Sequence, residues 1–306
     1  MTQTGAIEVW RGTTAAWECD GMGHMNVRFH LLRAMQGLGG AAAALGMPHA
    51  FAAHAPATLI VREHHVRFLR EAREGALQHM TASVIEMAET EAVIQLTLIH
   101  SLTGEVSATF LTRVSHAAGR TAKPFPWPDR ARAAAETLKA PLTPDAGPRS
   151  VTGLPYQEPP TLELALSLGL ERTGLSLVTP EDCDVFGRLR TEMFMGRISA
   201  SVGHAIEPVR RVASEAAGMR LGGAALEYRL VYFDQPRAGD RIEMRAGLFG
   251  VDRKIARLRH WLLDPATGAA WAAAEGVSVN FDLDARRMVP LSPETVAALE
   301  SLVVRR

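Results

Sequence analysis

The stretch Trp17-Glu-Cys-Asp-Gly-Met-Gly-His24 returns in altered form as Glu181-Asp-Cys-Asp-Val-Phe-Gly-Arg188. Both copies hold a Cys-Asp pair, and both hold a glycine three residues after the aspartate. The aspartates, Asp20 and Asp184, lie 164 positions apart, and so do the cysteines and the glycines. A repeat at one fixed spacing predicts two homologous structural units.

The same spacing recurs further along the chain. It relates five more positions to their counterparts, which are Glu63 and Glu227, Arg73 and Arg237, Gly75 and Gly239, Thr103 and Thr267, and Gly104 and Gly268. Because no gap is needed, chance matching is a poor explanation. We therefore predict an N-terminal unit over residues 1–119 and a C-terminal unit over residues 171–306, with the repeat itself covering about 7–119 and 171–283.

The segment between the units, residues 120–170, holds nine prolines. Proline at this density breaks regular structure and predicts a linker. One short helix is predicted within it, over Asp129–Lys139.

Within each unit the pattern predicts a short strand, a polar turn that carries the aspartate, one long helix and four strands in a meander. The helices are predicted over Val27–Leu45 and Leu189–Gly203. The predicted strands of the first unit are Ile7–Thr14, Thr58–Phe68, Ala76–Met87, Ala92–His100 and Glu105–Ser115. Those of the second are Leu175–Thr179, Ala225–Phe233, Asp240–Phe249, Ile255–Leu263 and Ala270–Phe281. The apolar face of such a sheet must be buried against another element, and the long helix can bury it. The Ala/Gly-rich stretch Gly37–Gly46 suits a helix held closely against a curved sheet.

Composition excludes several classes of protein. The 306 residues include 33 Lys and Arg against 33 Asp and Glu, so no net charge attracts nucleic acid or an anionic membrane. Two cysteines make no disulfide framework and favour a reducing cytoplasm. The N-terminus lacks the pattern of a signal peptide, and no helical stretch is apolar for long enough to span a bilayer. No His, Cys and Asp spacing matches a familiar zinc set, so we predict neither metal nor cofactor.

The segment Asp20-Gly-Met-Gly-His-Met-Asn26 resembles the signature of the 4-hydroxybenzoyl-CoA thioesterase branch of the hot-dog fold superfamily. That signature runs Asp, two variable residues, Gly-His, an apolar residue and Asn-Asn, and it opens the central helix. Val27 stands here for the second Asn, and His30 for an aromatic residue of the helix. In the second unit Arg188 and Arg190 stand where His and Asn would be.

The resemblance implies an α+β double hot-dog, in which two tandem repeats each wrap a curved antiparallel sheet around a long central helix. Family members act as dimers with active sites at the interface, so the tandem chain would be an intramolecular pseudo-dimer, with further homo-oligomers left open. The implied activity is hydrolysis of an acyl-CoA, or of an acyl-carrier-protein thioester, to the free acid.

By the same resemblance, the Asp20 carboxylate attacks the thioester or activates water, and His24 and Asn26 orient the reacting groups. The backbone N–H of Val27 would polarise the carbonyl oxygen, as helix N-termini favour negative charge. An aspartate shortly before a helix is also typical of a cap or turn residue.

A second, degenerate site is expected at Asp184, Arg188 and Arg190. The arginines either form salt bridges there or bind CoA phosphates. Arg67 and Arg70 are further candidates for CoA phosphates, although a solvated strand face and hairpin turn would explain them equally well.

Two cysteines lie beside the aspartates, but neither has a nearby base that would lower the pKa of its thiol. We therefore expect Cys19 and Cys183 to be small core residues. Trp10, Trp17 and Phe51 pack in the core or line an aromatic pocket, even for a cationic acyl group.

Two other functions stay open at this stage. One is a hot-dog hydratase or dehydratase that acts on acyl thioesters. The other is a non-catalytic acyl-CoA-binding module, because both copies of the signature are incomplete.

Overall fold

A computed structural model describes residues 5–153, 156, 158–282, 284–285 and 287–305. The chain divides into two compact units. The first comprises Met1–Gly147 and Asp182–Met195, and the second comprises Pro148–Glu181 and Gly196–Arg306. The first unit therefore includes the Asp184 turn, which belongs to the second sequence repeat.

The first unit is a five-stranded antiparallel sheet with one long helix. Its sheet order is β1-β3-β4-β5-β2. The elements are β1 (Ile7–Thr13), α1 (Val27–Ala44), β2 (Ala57–Phe68), β3 (Leu77–Met87), β4 (Glu91–His100), β5 (Val106–Ala118) and α2 (Asp129–Thr137).

The second unit repeats this plan, with sheet order β7-β10-β9-β8-β6 and a short strand β11 beside β10. Its elements are α3 (Leu162–Ser167), β6 (Glu171–Leu177), α4 (Thr191–Ala217), β7 (Leu221–Tyr232), β8 (Arg241–Val251), β9 (Ile255–Leu263), β10 (Ala270–Asp282), β11 (Arg287–Met288) and α5 (Pro293–Glu300). The first turn of α4 lies in the first unit. No helix of the described residues is long and apolar enough to cross a membrane.

The internal repeat is confirmed by these elements. β1 and β6, β2 and β7, β3 and β8, and β5 and β10 begin and end at the same 164-residue spacing. Left-handed glycines follow it too, because Gly104 has φ of 74° and Gly268 has φ of 78°. Glycine tolerates this conformation, so these two hairpin turns are specified by the sequence itself.

The helix α1 is held close to the sheet by two glycines, as its composition predicts. A Cβ at Gly37 would clash with the Met80 side chain, and one at Gly40 would clash with the Val9 carbonyl. The absence of side chains at these positions lets the helix backbone approach β1 and β3.

We expect Gly40→Ala to destabilise the protein by about 1–3 kcal/mol, because overpacking at Val9 outweighs the helix propensity of alanine. Gly39→Ala is the matched control. Its Cβ would lie 3.9 Å from the Phe51 ring, an ordinary contact, so a gain of up to about 1 kcal/mol is expected there. Urea unfolding measures both variants, and equal effects would contradict the close approach at Gly40.

Three predicted boundaries were wrong by four residues or more, among them the start of β7, which lies at Leu221 rather than at Ala225. The helix α4 runs to Ala217 rather than to Gly203. In the first unit the corresponding helix ends at Ala44, two residues before Gly46, which has φ of 79°. Arg210 occupies the position equivalent to Gly46, so α4 continues past Pro208 to Ala217, the residue before the left-handed Gly218. The strand β6 begins at Glu171 rather than at Leu175, because glycine and charged residues hide its first half from pattern reading.

The proline-rich segment holds more regular structure than its composition indicates. It contains the predicted helix, seen as α2 over Asp129–Thr137, and also α3, which was not predicted. The helices α2 and α5 begin 164 positions apart. After these helices in the sequence, Lys139 forms a parallel bridge with Val84, and Val303 forms the equivalent bridge with Leu248. The equivalence of the repeats therefore extends past residue 119.

Residues 143–146 of this segment cover the sheet face of the first unit that lies opposite α1. The backbone N–H of Thr143 donates to Gln95 Oε1 at 3.1 Å, and the Thr109 hydroxyl donates to the Asp145 carbonyl at 2.8 Å. His65 Nδ1 lies 3.2 Å from the Ala146 carbonyl. Polar side chains that would be orphaned on a buried face thus find backbone partners.

Residues 149–152 do the same for the second unit. The N–H groups of Arg149 and Ser150 each donate to the buried Glu227 carboxylate at 2.8 Å. The N–H of Thr152 donates to Glu275 at 2.9 Å. The two stretches together form a covering segment, residues 143–146 and 149–152, which is bound to side chains and is not a free linker.

Candidate active site

The Asp20 turn is a tight loop closed by its own backbone. Asp20 N–H donates to the His24 carbonyl at 2.8 Å, and Gly23 N–H donates to the Asp20 carbonyl at 2.9 Å. The carboxylate contributes through one oxygen only, since Oδ1 accepts the N–H of Met22 at 2.8 Å and that of His24 at 3.3 Å. One half of this carboxylate therefore serves the turn, which is the structural role considered for such an aspartate.

The Asp184 turn has the same construction. Asp184 N–H donates to the Arg188 carbonyl at 2.7 Å. Its Oδ1 accepts the N–H of Phe186 at 2.8 Å and that of Arg188 at 2.9 Å. The turn alone explains why both repeats keep an aspartate, so the shared residue is no evidence for catalysis.

The second carboxylate oxygen distinguishes the two turns. Asp20 is exposed, and among the described residues its Oδ2 has no hydrogen-bond partner. Asp184 Oδ2 instead lies 3.5 Å from the Arg188 guanidinium. A carboxylate with a free oxygen can act as a nucleophile or base, whereas one facing a buried cation is partly neutralised.

The arginines of the second turn are occupied within the protein. Arg188 is buried, donates to the Gly119 carbonyl at 2.6 Å and lies over the Phe186 ring, 4.6 Å from its centroid. Arg190 Nη1 lies 3.5 Å from the Glu192 carboxylate. Arg188 therefore stabilises the turn from the protein interior. It does not reach solvent, where a CoA phosphate would lie.

The start of α1 offers a hydrogen-bond donor. Asn26 caps the helix, because its Oδ1 accepts the Arg28 N–H at 3.0 Å. Val27 is the first helical residue, and no acceptor for its N–H is found in the described part of the chain. The first turn of α1 has no acidic side chain. An uncovered N–H at a helix N-terminus favours negative charge, as an oxyanion requires.

His24 points to a residue that sequence reasoning missed. Its Nε2 lies 2.8 Å from the Glu71 carboxylate and 3.3 Å from the Arg73 guanidinium. The backbone fixes this meeting, because His24 forms an antiparallel bridge with Arg73, and the N–H of Met25 donates to the Ala72 carbonyl at 2.7 Å. Glu71 is distant from His24 along the chain, and no local pattern marks it.

Glu71 also lines a groove of about 590 Å³. It is lined by charged and polar side chains together with leucines, namely Arg70, Glu71, His100, Glu105, Leu69, Leu77 and Leu102. Arg70 lies in this wall, 3.3 Å from Glu105. Arg67 lies elsewhere, on the face under the covering segment, where it donates to the Pro144 carbonyl at 3.3 Å. The structure does not bring these two arginines together.

His30 packs inside the first turns of α1. It is buried edge-on against Phe68, with ring centroids 5.0 Å apart, and its Nδ1 lies 3.4 Å from the Asn26 carbonyl. Burial lowers the pKa of His30 to about 4, although the nearby charge of Asp20 acts in the opposite direction. His30 is therefore neutral near pH 7 and fills space as the family's aromatic residue would.

A buried ion pair joins the Asp20 turn to the helix. Arg33 Nη2 lies 2.5 and 2.6 Å from the two carboxylate oxygens of Glu18, and its guanidinium stacks on Trp10 at 4.8 Å. The Glu18 carboxylate also accepts the Ala15 N–H at 3.0 Å, and its carbonyl accepts the Asn26 N–H at 2.8 Å. Glu18 thus fixes both the entry to the turn and the cap of α1.

The cysteines and tryptophans considered as candidates do not contribute to the Asp20 site. Cys19 is half-buried, with Sγ 3.7 Å from the Ala15 carbonyl, and neither Cys19 nor Cys183 forms a disulfide. Trp17 is 81% exposed, and Trp10 is covered by Arg33. Within the described residues, no group of three or more His, Cys, Asp or Glu side chains is arranged to hold a metal ion.

Comparison with known sequences gives a family match over most of the chain. The sequence model of the thioesterase-like superfamily matches residues 14–135 and again 178–299, so the two matches are themselves 164 positions apart. A betainyl-CoA thioesterase from Pseudomonas aeruginosa is 35% identical over 77 residues, which are 25% of this chain and 48% of that protein. The chain thus matches about half the length of this relative.

Solved structures share the fold over nearly the whole chain. The 12:0-ACP thioesterase from Umbellularia californica has a TM-score of 0.66 at 12% identity, covering 90% of this chain and 94% of its own. An acyl-ACP thioesterase from Bacteroides thetaiotaomicron has a TM-score of 0.63 at 9% identity, covering 90% and 98%. At these identities the likeness is one of fold.

Proposed function

Because the chain belongs to the thioesterase-like superfamily and has the α+β double hot-dog fold that its sequence predicts, we propose that it is an acyl-CoA thioesterase whose active site is the Asp20 turn. One observation carries the choice of site. The Asp20 carboxylate has one oxygen fixed by the turn and the other unpartnered within the described residues.

Two routes to hydrolysis use that oxygen. Asp20 Oδ2 attacks the thioester carbonyl, expels the CoA thiolate and leaves an acyl anhydride that water then cleaves. Alternatively, Oδ2 takes a proton from a water molecule that attacks the same carbonyl. In both routes the carbonyl oxygen becomes negative and is stabilised by the Val27 N–H. One such donor is typically worth on the order of 10²–10³ in rate.

The second turn takes no part in this proposal. The Asp184 carboxylate faces a buried guanidinium, and the position of His24 is filled by that same arginine, Arg188. A nucleophile or base beside a fixed cation is less basic and less reactive. One functional site per chain is therefore the expected stoichiometry.

The proposed substrate is a CoA thioester, and the betainyl-CoA thioesterase among the relatives makes a small cationic acyl group a specific candidate. Acyl-carrier-protein thioesters are the alternative, given the solved structures with this fold. Two cysteines that form no disulfide suit a reducing compartment, and we propose the cytoplasm.

Thiol release from a panel of thioesters tests the function. The panel contains betainyl-CoA, short and long straight-chain acyl-CoAs, an aromatic acyl-CoA and one acyl-carrier-protein thioester. We expect release from at least one acyl-CoA, measured with a thiol reagent. Tight binding without release would favour the binding module instead, and hydration of an enoyl-CoA without thiol release would favour the hydratase.

A further inference from the structure

His24 and Glu71 form a pair that the family signature does not contain. The distance of 2.8 Å between Nε2 and the carboxylate oxygen is that of a charge-assisted hydrogen bond. The His24 side chain is 14% exposed and Glu71 49%, so the pair reaches the protein surface, and Glu71 also lines the 590 Å³ groove.

The contacts around the pair fix the position of the hydrogen on the imidazole. If Nε2 carried a lone pair, two acceptors would face each other at 2.8 Å, which is repulsive. Nε2 also lies 3.3 Å from the donor Arg73 Nη2, but its contact with Glu71 is shorter, at 2.8 Å, so we assign the hydrogen to Nε2, which donates it to Glu71. Arg73 Nη2, at 3.3 Å from the same carboxylate oxygen, then supports Glu71 on its other side.

The second repeat provides an internal comparison. Arg188 stands at the position of His24, and Gln235 at that of Glu71, while Arg237 still matches Arg73. The histidine and its carboxylate are thus replaced together, in the same turn whose aspartate faces a guanidinium. Such joint replacement is expected if Glu71 is of use only where His24 is.

We propose that Glu71 is a positioning residue, which fixes the orientation and tautomer of His24 for proton transfer during hydrolysis. This inference rests on the proposed function. With the hydrogen on Nε2, the other ring nitrogen of His24 is the basic atom. In the route where Asp20 Oδ2 takes the proton from water, that proton passes from Asp20 to this nitrogen and from there to the sulfur of the departing thiolate. Glu71 stabilises the imidazolium that exists between the two transfers.

Glu71→Gln tests this role in two backgrounds. In the wild type we expect kcat to fall by about tenfold with KM unchanged, because the loss concerns proton transfer and not binding. In the His24→Ala background, Glu71→Gln should have no further effect. Glu74→Gln, an exposed carboxylate of the same loop, is the matched control and should retain full activity.

A spectroscopic measurement stands beside the kinetics. The imidazole ¹⁵N resonances of His24, assigned by their loss in His24→Ala, should show a hydrogen on Nε2 in the wild type and should move in Glu71→Gln. Unchanged resonances, additive losses in the double variant, or a change in KM alone would each overturn the inference. Wild-type hydrolysis with an unimpaired Glu71→Gln overturns the pair alone, whereas thiol release from no substrate overturns the proposed function as well.

Discussion

Asp20→Asn is expected to lower kcat by about 10²–10³-fold on any thioester that the wild type hydrolyses. The substitution keeps an oxygen that can accept the N–H groups of Met22 and His24, so the turn is retained. It replaces the unpartnered oxygen by an amide nitrogen, which is neither a nucleophile nor a base. The thiol-release assay gives kcat, and thermal unfolding shows that the variant is folded.

The matched control is Asp184→Asn, made in the turn of identical construction. It should leave kcat unchanged per folded molecule, while lowering stability, because Arg188 then loses the carboxylate that faces it. Equal losses in the two variants would mean that the second turn also works. Full activity in Asp20→Asn would restrict Asp20 to its role in the turn.

The largest expected effect on stability comes from Glu18→Gln, about 3–5 kcal/mol of the free energy of unfolding. Glu18 is 4% exposed and Arg33 8%, so the substitution leaves a guanidinium buried without its counter-charge. Replacing both residues by apolar ones, as in Glu18→Leu/Arg33→Met, should cost less than Glu18→Gln alone, since the buried charge is removed as well.

Urea unfolding measures these variants beside Glu8→Gln, which breaks an ion pair of comparable distance, 2.7 Å, at the surface. That pair is 44–61% exposed, so its loss should have little effect. A loss in Glu18→Gln no larger than in Glu8→Gln would show that the buried pair contributes nothing to the Asp20 turn.

Much of the fold could be predicted because local sequence patterns and the internal repeat specify it. The alternation of apolar and polar residues along β4 and β9 can be read from neighbouring residues. The spacing of 164 residues follows from comparing the two halves of the sequence. The wrong predictions concern features that these local patterns do not contain. The length of α4 depends on Arg210 standing where α1 has its terminating Gly46, a difference that hydrophobic periodicity does not register.

The site divides in the same way. The Asp20 turn, the Asn26 cap and the Val27 N–H lie within a few residues of one another in the sequence. The motif therefore predicts that they are close together in the structure. Glu71 reaches His24 only because the return of the turn pairs with the loop between β2 and β3. The burial of Arg188 depends on the end of β5, through the Gly119 carbonyl, and no spacing rule connects those positions.

The first unit takes Asp182–Met195 from the far half of the chain, and this bears on how the gene can change. A duplicated gene whose copies fold separately can be broken again into two at the joint. Here a break between Gly119 and Asp182 leaves the N-terminal product without Arg188, the donor to its own Gly119 carbonyl. The Asp184 turn is therefore part of the framework of the first unit, and we expect separation of the two copies at such a break to destabilise that unit.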